Sequence, residues 1–316
     1  MNRRGIIQKI FSKKSLGVSL SSSSAAFVLV SGTESLPRLE TVSSRPLLPG
    51  TLHPSLRDRN ILNPQGFLVA LKEARNGLGF RGKYVSLSLP DSVGRVMILD
   101  MEERFKNRSE GLDVIRWKLK KKLPFDPADA QLDYQSVAKR ENGDMVVLVA
   151  MVLRPVISQY EELFAAADLV PTRIDLNSFN LCRVFERRMA DHDDYAFLTL
   201  YDSNLGIMFF AGGKPEFVRF RELAGGETVH DSLHNEIRCS FLSYKERFPE
   251  RVLKNVFCVS PPRTAGYFSG VARDAIGCEP VLLETKTALY VKESIPSDPE
   301  SLFPFTTAIG AALRAL

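Results

Sequence analysis

An α/β fold of two similar halves facing each other across a cleft is the architecture this sequence predicts, and three observations predict it. Residues 16–30, LGVSLSSSSAAFVLV, place two apolar runs around four serines, the spacing of two short strands joined by a tight polar turn. Residues 195–211, YAFLTLYDSNLGIMFFA, repeat the plan, with Asp202, Ser203 and Asn204 in the turn. Behind each hairpin strands alternate with helices, the pattern of a duplicated α/β fold.

The bulk numbers agree. The chain has 316 residues, 44% hydrophobic and 25% charged, which is ordinary globular composition and length enough for two domains. Its net charge of +5 is accounted for by Arg3, Arg4, Lys9, Lys13 and Lys14, which stand together with no acid among them. The remainder is near neutral, which argues against nucleic acid as a partner. In the same leader Ile6, Ile7, Ile10 and Phe11 stand at helical spacing against the cations, suiting either an amphipathic turn on an anionic membrane or a solvated leader. No apolar run approaches the ~18 residues of a spanning helix, and the leader lacks the apolar core of a signal peptide, so a cytoplasmic protein is expected. Cys182, Cys239, Cys258 and Cys278 show no metal-ligand or disulfide spacing and read as buried free thiols.

After the first hairpin, residues 31–62 are rich in Ser, Pro, Arg and Leu and read as an irregular extension or loop. A helix follows, with Asn63 as N-cap, Pro64 in its first turn and Phe67, Leu68, Leu71 and Ala74 on one face. Residues 83–89 alternate as a half-buried strand, closed by Pro90. Residues 93–169 then run strand, helix, strand, strand, helix. The first of these helices starts near Ser109, carries Leu112, Ile115, Leu119 and Leu123 on a stripe and stops at Pro124. Arg116, Lys118, Lys120, Lys121 and Lys122 crowd its other faces, as a solvated face or as a site for an acidic partner. Trp117 beside them reads as core packing, with an anchor for the module or a partner as the other reading. Strands at 131–138 and 145–153 meet through Asn142 and Gly143, and a helix carries Val156, Tyr160, Leu163, Phe164 and Ala167.

The second half opens through a strand at 172–175 and a helix with Leu181, Phe185 and Met189, for which Asp175 is a candidate cap. Strands at 195–201, 205–211 and 216–221 lead through Gly225 and Gly226 to a long helix bearing Val229, Leu233, Ile237, Phe241 and Tyr244. Strand 256–260, helix 266–275, strand 280–283 and a terminal helix at 307–316 complete the alternation. His230 and His234 have metal-ligand spacing, but a surface pair is the stronger reading, and Asp193 and Asp194 read as loop. The serine-rich turn offers no base and no GxSxG, so nucleophilic catalysis has no support.

Residues 115–135, IRWKLKKKLPFDPADAQLDYQ, resemble the PilM family of type IV pilus assembly proteins, in which a helix ends in Pro-Phe before an Asp-Tyr-Gln strand. Further resemblances fall in order: the first hairpin after a basic leader; 169–183, LVPTRIDLNSFNLCR; the Phe-x-Arg strand at 217–219; the helix at 236–244; and 308–314, AIGAALR. The resemblance implies an actin-like fold (ASKHA, ribonuclease H-like). Its parts would be a leader at 1–14, domain 1A at 15–92, 170–192 and 304–316, an inserted 1C module at 93–169, and domain 2 at 193–303. It implies a cytoplasmic platform, peripheral to the inner membrane, that grips the N-terminal tail of a PilN-like membrane protein and connects through it to PilO-like and PilP-like proteins and the pilus motor ATPases. In this family the cleft between 1A and 1C receives that tail, and Val85, Leu87, Leu89, Ile115, Trp117 and Leu119 are the residues expected near it.

The family's ATP and magnesium motifs are altered. Its first hairpin carries an Asp-Ile-Gly-Ser-Ser-Ser-Val-Lys-like turn, whose Asp holds magnesium through water and whose Gly and N–H groups cradle phosphate. The matching residues are Ser19, Leu20, Ser21, Ser22, Ser23, Ser24, Ala25 and Ala26. In the second hairpin Thr199, Leu200 and Tyr201 replace an Asp-Ile-Gly pattern, and Asp202, Ser203 and Asn204 follow one register off. Ser260, Pro261 and Pro262 replace the Gly-Gly pair of the adenosine turn. The expectation is an adaptor that works by protein contacts, with no cofactor and no metal, its serines and Asp202–Asn204 marking degenerate phosphate turns. An active ATPase or sugar kinase of the superfamily, and a platform subunit of a type II secretion or mannose-sensitive pilus system, are the alternatives.

Overall fold

A computed structural model describes residues 13–102, 105–223 and 229–316. The first hairpin forms from β1 (Lys13–Leu20) and β2 (Ser24–Thr33), paired antiparallel with Leu20 opposite Ala25. Both strands are buried on both faces, as in α/β sheets; β2 is apolar on each, whereas β1 sets Leu16, Val18 and Leu20 on one face and the small Ser15, Gly17 and Ser19 on the other. Here the first departure from the sequence reading appears. Gly32, near the end of β2, has a φ of +108° that is open to glycine; the chain turns at Glu34 and Ser35 and runs back as β3 (Leu36–Pro46) against the whole of β2, with one register shift at Leu29 and Val30. As a near-edge strand its outward positions are Arg, Ser and Glu, which is why it reads as irregular. Only the following loop, which crosses itself at Leu52 and Ile61, is irregular.

Helix α1 (Pro64–Gly77) is capped by Asn63, whose side chain accepts from the Gly66 N–H, and buries Phe67, Leu71 and Ala74. Strand β4 (Tyr84–Leu89) lies parallel to β1 and is buried on both faces rather than one, so its alternating Ser86 and Ser88 are interior. A 3-10 turn at Asp91–Val93 leads into the inserted module: β5 (Arg95–Met101), α2 (Arg108–Leu119), β6 (Ala130–Lys139) and β7 (Met145–Leu153). Its sheet has the order β5-β7-β6, with one face closed by Ile115 and Leu119 of α2 over Leu132, Val149 and Met151. α2 is N-capped by Asn107 and ends at Leu119, short of Pro124.

Helix α3 (Arg154–Ala166) returns to the first sheet, burying Val156, Tyr160 and Phe164, and β8 (Val170–Leu176) joins parallel to β4 as an edge. The crossing helix α4 (Asn177–Met189) has no side-chain cap. Asp175 of β8 instead pairs with Arg314 at 3.0 Å, and Arg314 also donates to the Asn180 side chain at 3.1 Å, so this arginine ties the end of the chain to both β8 and the crossing helix.

The second sheet runs β11-β10-β9-β12-β13, built from β9 (Tyr195–Tyr201), β10 (Asn204–Ala211), β11 (Lys214–Glu222), β12 (Asn255–Val259) and β13 (Pro280–Leu282). Helices α5 (Val229–Arg247) and α6 (Ala265–Ile276) cover one face through Leu233, Ile237, Tyr244, Phe268 and Ala272. α6 ends on Gly277 at φ +85°. Strand β14 (Tyr290–Val291), inside the stretch expected to belong to the second domain, pairs with β3 and completes the first sheet in the order β14-β3-β2-β1-β4-β8. The short helix α7 (Pro299–Leu302) precedes α8 (Thr306–Leu313), whose side chains are all buried between β1, β2 and α4. A Cβ on Gly17 would collide with the Ala308 carbonyl, and one on Gly310 with the Asn180 carbonyl, so two glycines let α8 lie directly on a strand and a helix. The expectations for residues 1–12, for Gly225 and Gly226, and for the side chains of Val229 and His230 lie outside the described residues. Of the cysteines, Cys258 is buried, Cys182 and Cys278 are half-buried, and Cys239 is exposed rather than buried.

Candidate functional site

The two hairpin turns meet across the cleft. The Ser22 backbone N–H donates to Asp202 Oδ2 at 3.0 Å and its hydroxyl donates to Oδ1 at 3.0 Å. Asp202 holds a left-handed backbone, φ +55°, a conformation Asp tolerates better than most residues. The rest of the first turn is closed on itself: Ser21 N–H donates to the Ser24 carbonyl at 2.9 Å, while the Ser21 hydroxyl accepts from the N–H groups of Ser23 (3.3 Å) and Ser24 (3.0 Å). Every backbone N–H from 21 to 24 therefore has a partner inside the protein.

Below the turn the site is filled. Ser19 is buried. Tyr201 is buried too, with its ring 5.4 Å from that of Phe303 and its hydroxyl donating to the Pro304 carbonyl at 2.9 Å. Burial pushes its pKa up to about 12. Ser203 lends its carbonyl to the Leu223 N–H at 2.8 Å, and Asn204 is buried at the start of β10.

Thr199, where the resemblance places the Asp of an Asp-Ile-Gly pattern, shares a 3.1 Å hydroxyl contact with Ser178 of α4. Ser178 in turn donates its N–H (3.0 Å) and hydroxyl (2.7 Å) to Asp91. Burial raises the Asp91 carboxyl pKa to about 6, against the opposing pull of Ser178. This carboxylate was invisible in the sequence, since a lone Asp after a Pro reads as a turn. At the third altered motif, Ser260 and Pro262 border a pocket of about 140 Å³ with Leu283, Thr285 and Phe303.

A second concavity is open. Between β8 and the uncovered face of the inserted sheet runs a groove of about 460 Å³, floored by Leu89, Ala150, Val152, Ile157 and Ile174 and rimmed by Gln131, Asp133, Arg154, Glu161 and Arg173. β8 pairs only with β4 and β6 only with β7, so among the described residues both strands turn an unpaired edge outward. Of the residues expected near such a cleft, Leu89 lines it. Val85 and Leu87 are sealed in the first sheet, and Ile115 and Leu119 face the module's own core, so their side chains offer a ligand no surface. Trp117 is 78% exposed rather than packed in a core. The floor residues Ala150 and Val152 were missed because β7 is apolar on both faces and reads as an ordinary buried strand; Gln131 and Asp133, alternating with Ala130 and Leu132 in β6, were the available sign of an open face.

The inserted sheet is also tied to the second one. Glu216 of β11, itself buried, pairs with Arg140 at 3.0 Å and Arg251 at 3.2 Å and accepts from the Tyr244 hydroxyl at 3.2 Å. Asp100 of β5 pairs with Arg140 at 3.0 Å and with Arg247.

Two sheets, each opened by a hairpin whose turn meets the other's, with crossing helices between them and a module inserted in the first half, define an actin-like protein. The sequence pattern of type IV pilus assembly protein PilM matches residues 17–228, and the chain belongs to that family. Among solved structures, the PilM-PilN type IV pilus biogenesis complex contains a chain that superposes with a TM-score of 0.81 at 20% identity, over 95% of this chain and 98% of that one. The cytoplasmic domain of EpsL, an inner-membrane component of the type II secretion system of Vibrio cholerae, superposes with a TM-score of 0.54 at 11% identity, over 96% and 95%. No curated protein sequence matches significantly. No helix among the described residues is long and apolar enough to cross a membrane.

Proposed function

We propose that this chain is a non-hydrolysing scaffold of the type IV pilus assembly platform, peripheral to the inner membrane on its cytoplasmic side, and that it holds the N-terminal tail of a PilN-like membrane protein in the groove between β8 and the inserted module. Through that partner it would connect to PilO-like and PilP-like proteins and to the motor ATPases. The observation that carries the reading is the groove itself. Two unpaired strand edges supply main-chain donors and acceptors for an extended segment, the apolar floor supplies side-chain pockets, and the charged rim supplies register. The solved complex of a similar chain with PilN supports the choice of partner.

The same reading makes the two-turn cleft a structural joint and not a site for Mg-ATP. In its support, the N–H groups of the first turn are engaged, the Asp202 carboxylate lies where an anion would have to enter, Thr199 lacks the carboxylate a magnesium shell needs, and Tyr201 occupies the space beneath. Isothermal titration tests both parts. A synthetic peptide of the PilN-like tail is expected to bind the full chain, and Ala150→Arg, which drives a cation into the groove floor, is expected to abolish that binding. Absence of peptide binding to the unmutated chain overturns the groove reading. Micromolar binding of Mg-ATP overturns the reading of the cleft and favours the active ATPase.

A further inference from the structure

Parallel strands share a polarity, so β1, β4 and β8 all begin at one end of the first sheet, opposite the end that carries the serine turn. Gly17 lies beside Ser86, which brings Lys14 level with Lys83, and Tyr84 lies beside Val170. The chemistry collected there is unlike that of a solvated strand end. Tyr84 is 63% exposed and Val170 41% exposed. The Lys83 ammonium stands 5.6 Å from the Tyr84 ring centre, and the Lys14 ammonium 6.0 Å from that of Phe80. Lys14, Arg81 and Lys83 have no ion-pair partner among the described residues, and the nearby Asp168 is already held by Arg75 at 3.4 Å. Lys13, the first described residue, stands at this same end, and the sequence before it holds Arg3, Arg4 and Lys9 and no acid.

We infer that this strand end, centred on Lys14, Arg81, Lys83, Tyr84 and Val170, is the face by which the protein lies on an anionic phospholipid bilayer. Lysine ammonium groups act as hydrated point charges toward lipid headgroups, and exposed tyrosine favours the headgroup level, where its ring is apolar on one side and its hydroxyl wet on the other. Unpaired cations interleaved with apolar side chains therefore match a plane of anionic headgroups. The inference deepens the peripheral-membrane part of the proposed function and does not depend on the groove.

The test is sedimentation of the full chain with vesicles of phosphatidylcholine containing phosphatidylglycerol, beside vesicles of phosphatidylcholine alone. The chain is expected to sediment with the anionic vesicles only, and the double reversal Arg81→Glu with Lys83→Glu is expected to weaken partitioning by roughly fivefold or more per cation. Tyr84→Ser is expected to weaken it severalfold, while Lys120→Glu with Lys121→Glu, just past the end of α2, leaves it unchanged. Failure to bind anionic vesicles, equal binding to neutral ones, or a loss seen only with the 120/121 reversals overturns the assignment. Binding of polyglutamate that is sensitive to the 81/83 reversals, without vesicle binding, assigns an acidic protein instead and overturns it too. Titrating the tail peptide into the same proteins separates the two readings: the reversed chain is expected to keep its peptide affinity, and vesicle binding without peptide binding removes the groove reading alone.

Discussion

Ser22 and Asp202, 180 residues apart, are joined by two 3.0 Å hydrogen bonds, one from the serine N–H and one from its hydroxyl to separate oxygens of one carboxylate. The bond pair closes the first turn onto the second. Both groups border solvent, which moderates its worth. Asp202→Ala is expected to lower stability by about 1 kcal/mol, from the lost charge-assisted bonds together with the left-handed backbone that alanine resists. Asp202→Gly is expected to lose less, because glycine accepts φ +55°. Urea unfolding of the two variants side by side checks the order.

The Asp91 carboxyl predicts a pH dependence. Its folded pKa is raised to about 6 from an ordinary 3.8 by burial. Between about pH 4 and pH 6 the native state binds the extra proton, so Asp91's contribution to stability is greatest below pH 4 and declines as pH rises through 6. Asp91→Asn keeps acceptors and donors for Ser178 but cannot ionise. Relative to the unmutated chain, the variant is expected to gain on the order of 2 to 3 kcal/mol as pH goes from 4 to 7. Denaturant titrations at the two pH values measure it, and parallel curves refute it.

Glu216 sits buried between two arginines and a tyrosine. Removing one partner of a buried charge cluster strands the others, so Glu216→Ala is expected to cost about 3 kcal/mol. The loss should be local as well as global: amide exchange in β5 and β7 is expected to accelerate more than in β1 or β2, because the cluster ties the inserted sheet to β11.

Gly17 and Gly310 are where α8 touches its neighbours backbone to backbone. Gly17→Ala or Gly310→Ala is expected to destabilise by about 3 kcal/mol or to prevent folding, since the colliding atoms are main-chain carbonyls that no rotamer change relieves. Gly266→Ala on α6, where a Cβ meets nothing, is the control and is expected to be neutral or slightly stabilising. Thermal unfolding of the three variants tests the contrast.

How much of this was legible in the sequence depended on what each residue's neighbours reveal. The two hairpins, the helix capped by Asn63 and the alternation of strand and helix follow from local spacing, and the structure has them. β3 was not legible because a near-edge strand with one shielded face lacks the apolar runs that mark its neighbours. The loss of the family's Asp, Gly and Lys from the turns could be read directly, but what replaced them could not: the Asp202–Ser22 and Asp91–Ser178–Thr199 contacts join residues from distant stretches. Trp117 shows the opposite failure, for its type favours burial while its position on α2 faces solvent. The groove floor, likewise, is set by how two sheets are juxtaposed and not by either strand's own pattern.

Strand β14 is only two residues long, yet Tyr290 and Val291 come from late in the chain and lie on β3 beside the first hairpin. Together with the Asp202 bridge and the Glu216 cluster, they fasten the lobes at separate places. A hinged clamp needs one seam free to part, and here contacts at three separate places hold the seam. A body so stitched would answer a partner by offering a fixed outline, with the travel that other machines draw from an opening jaw left to whatever is docked upon it.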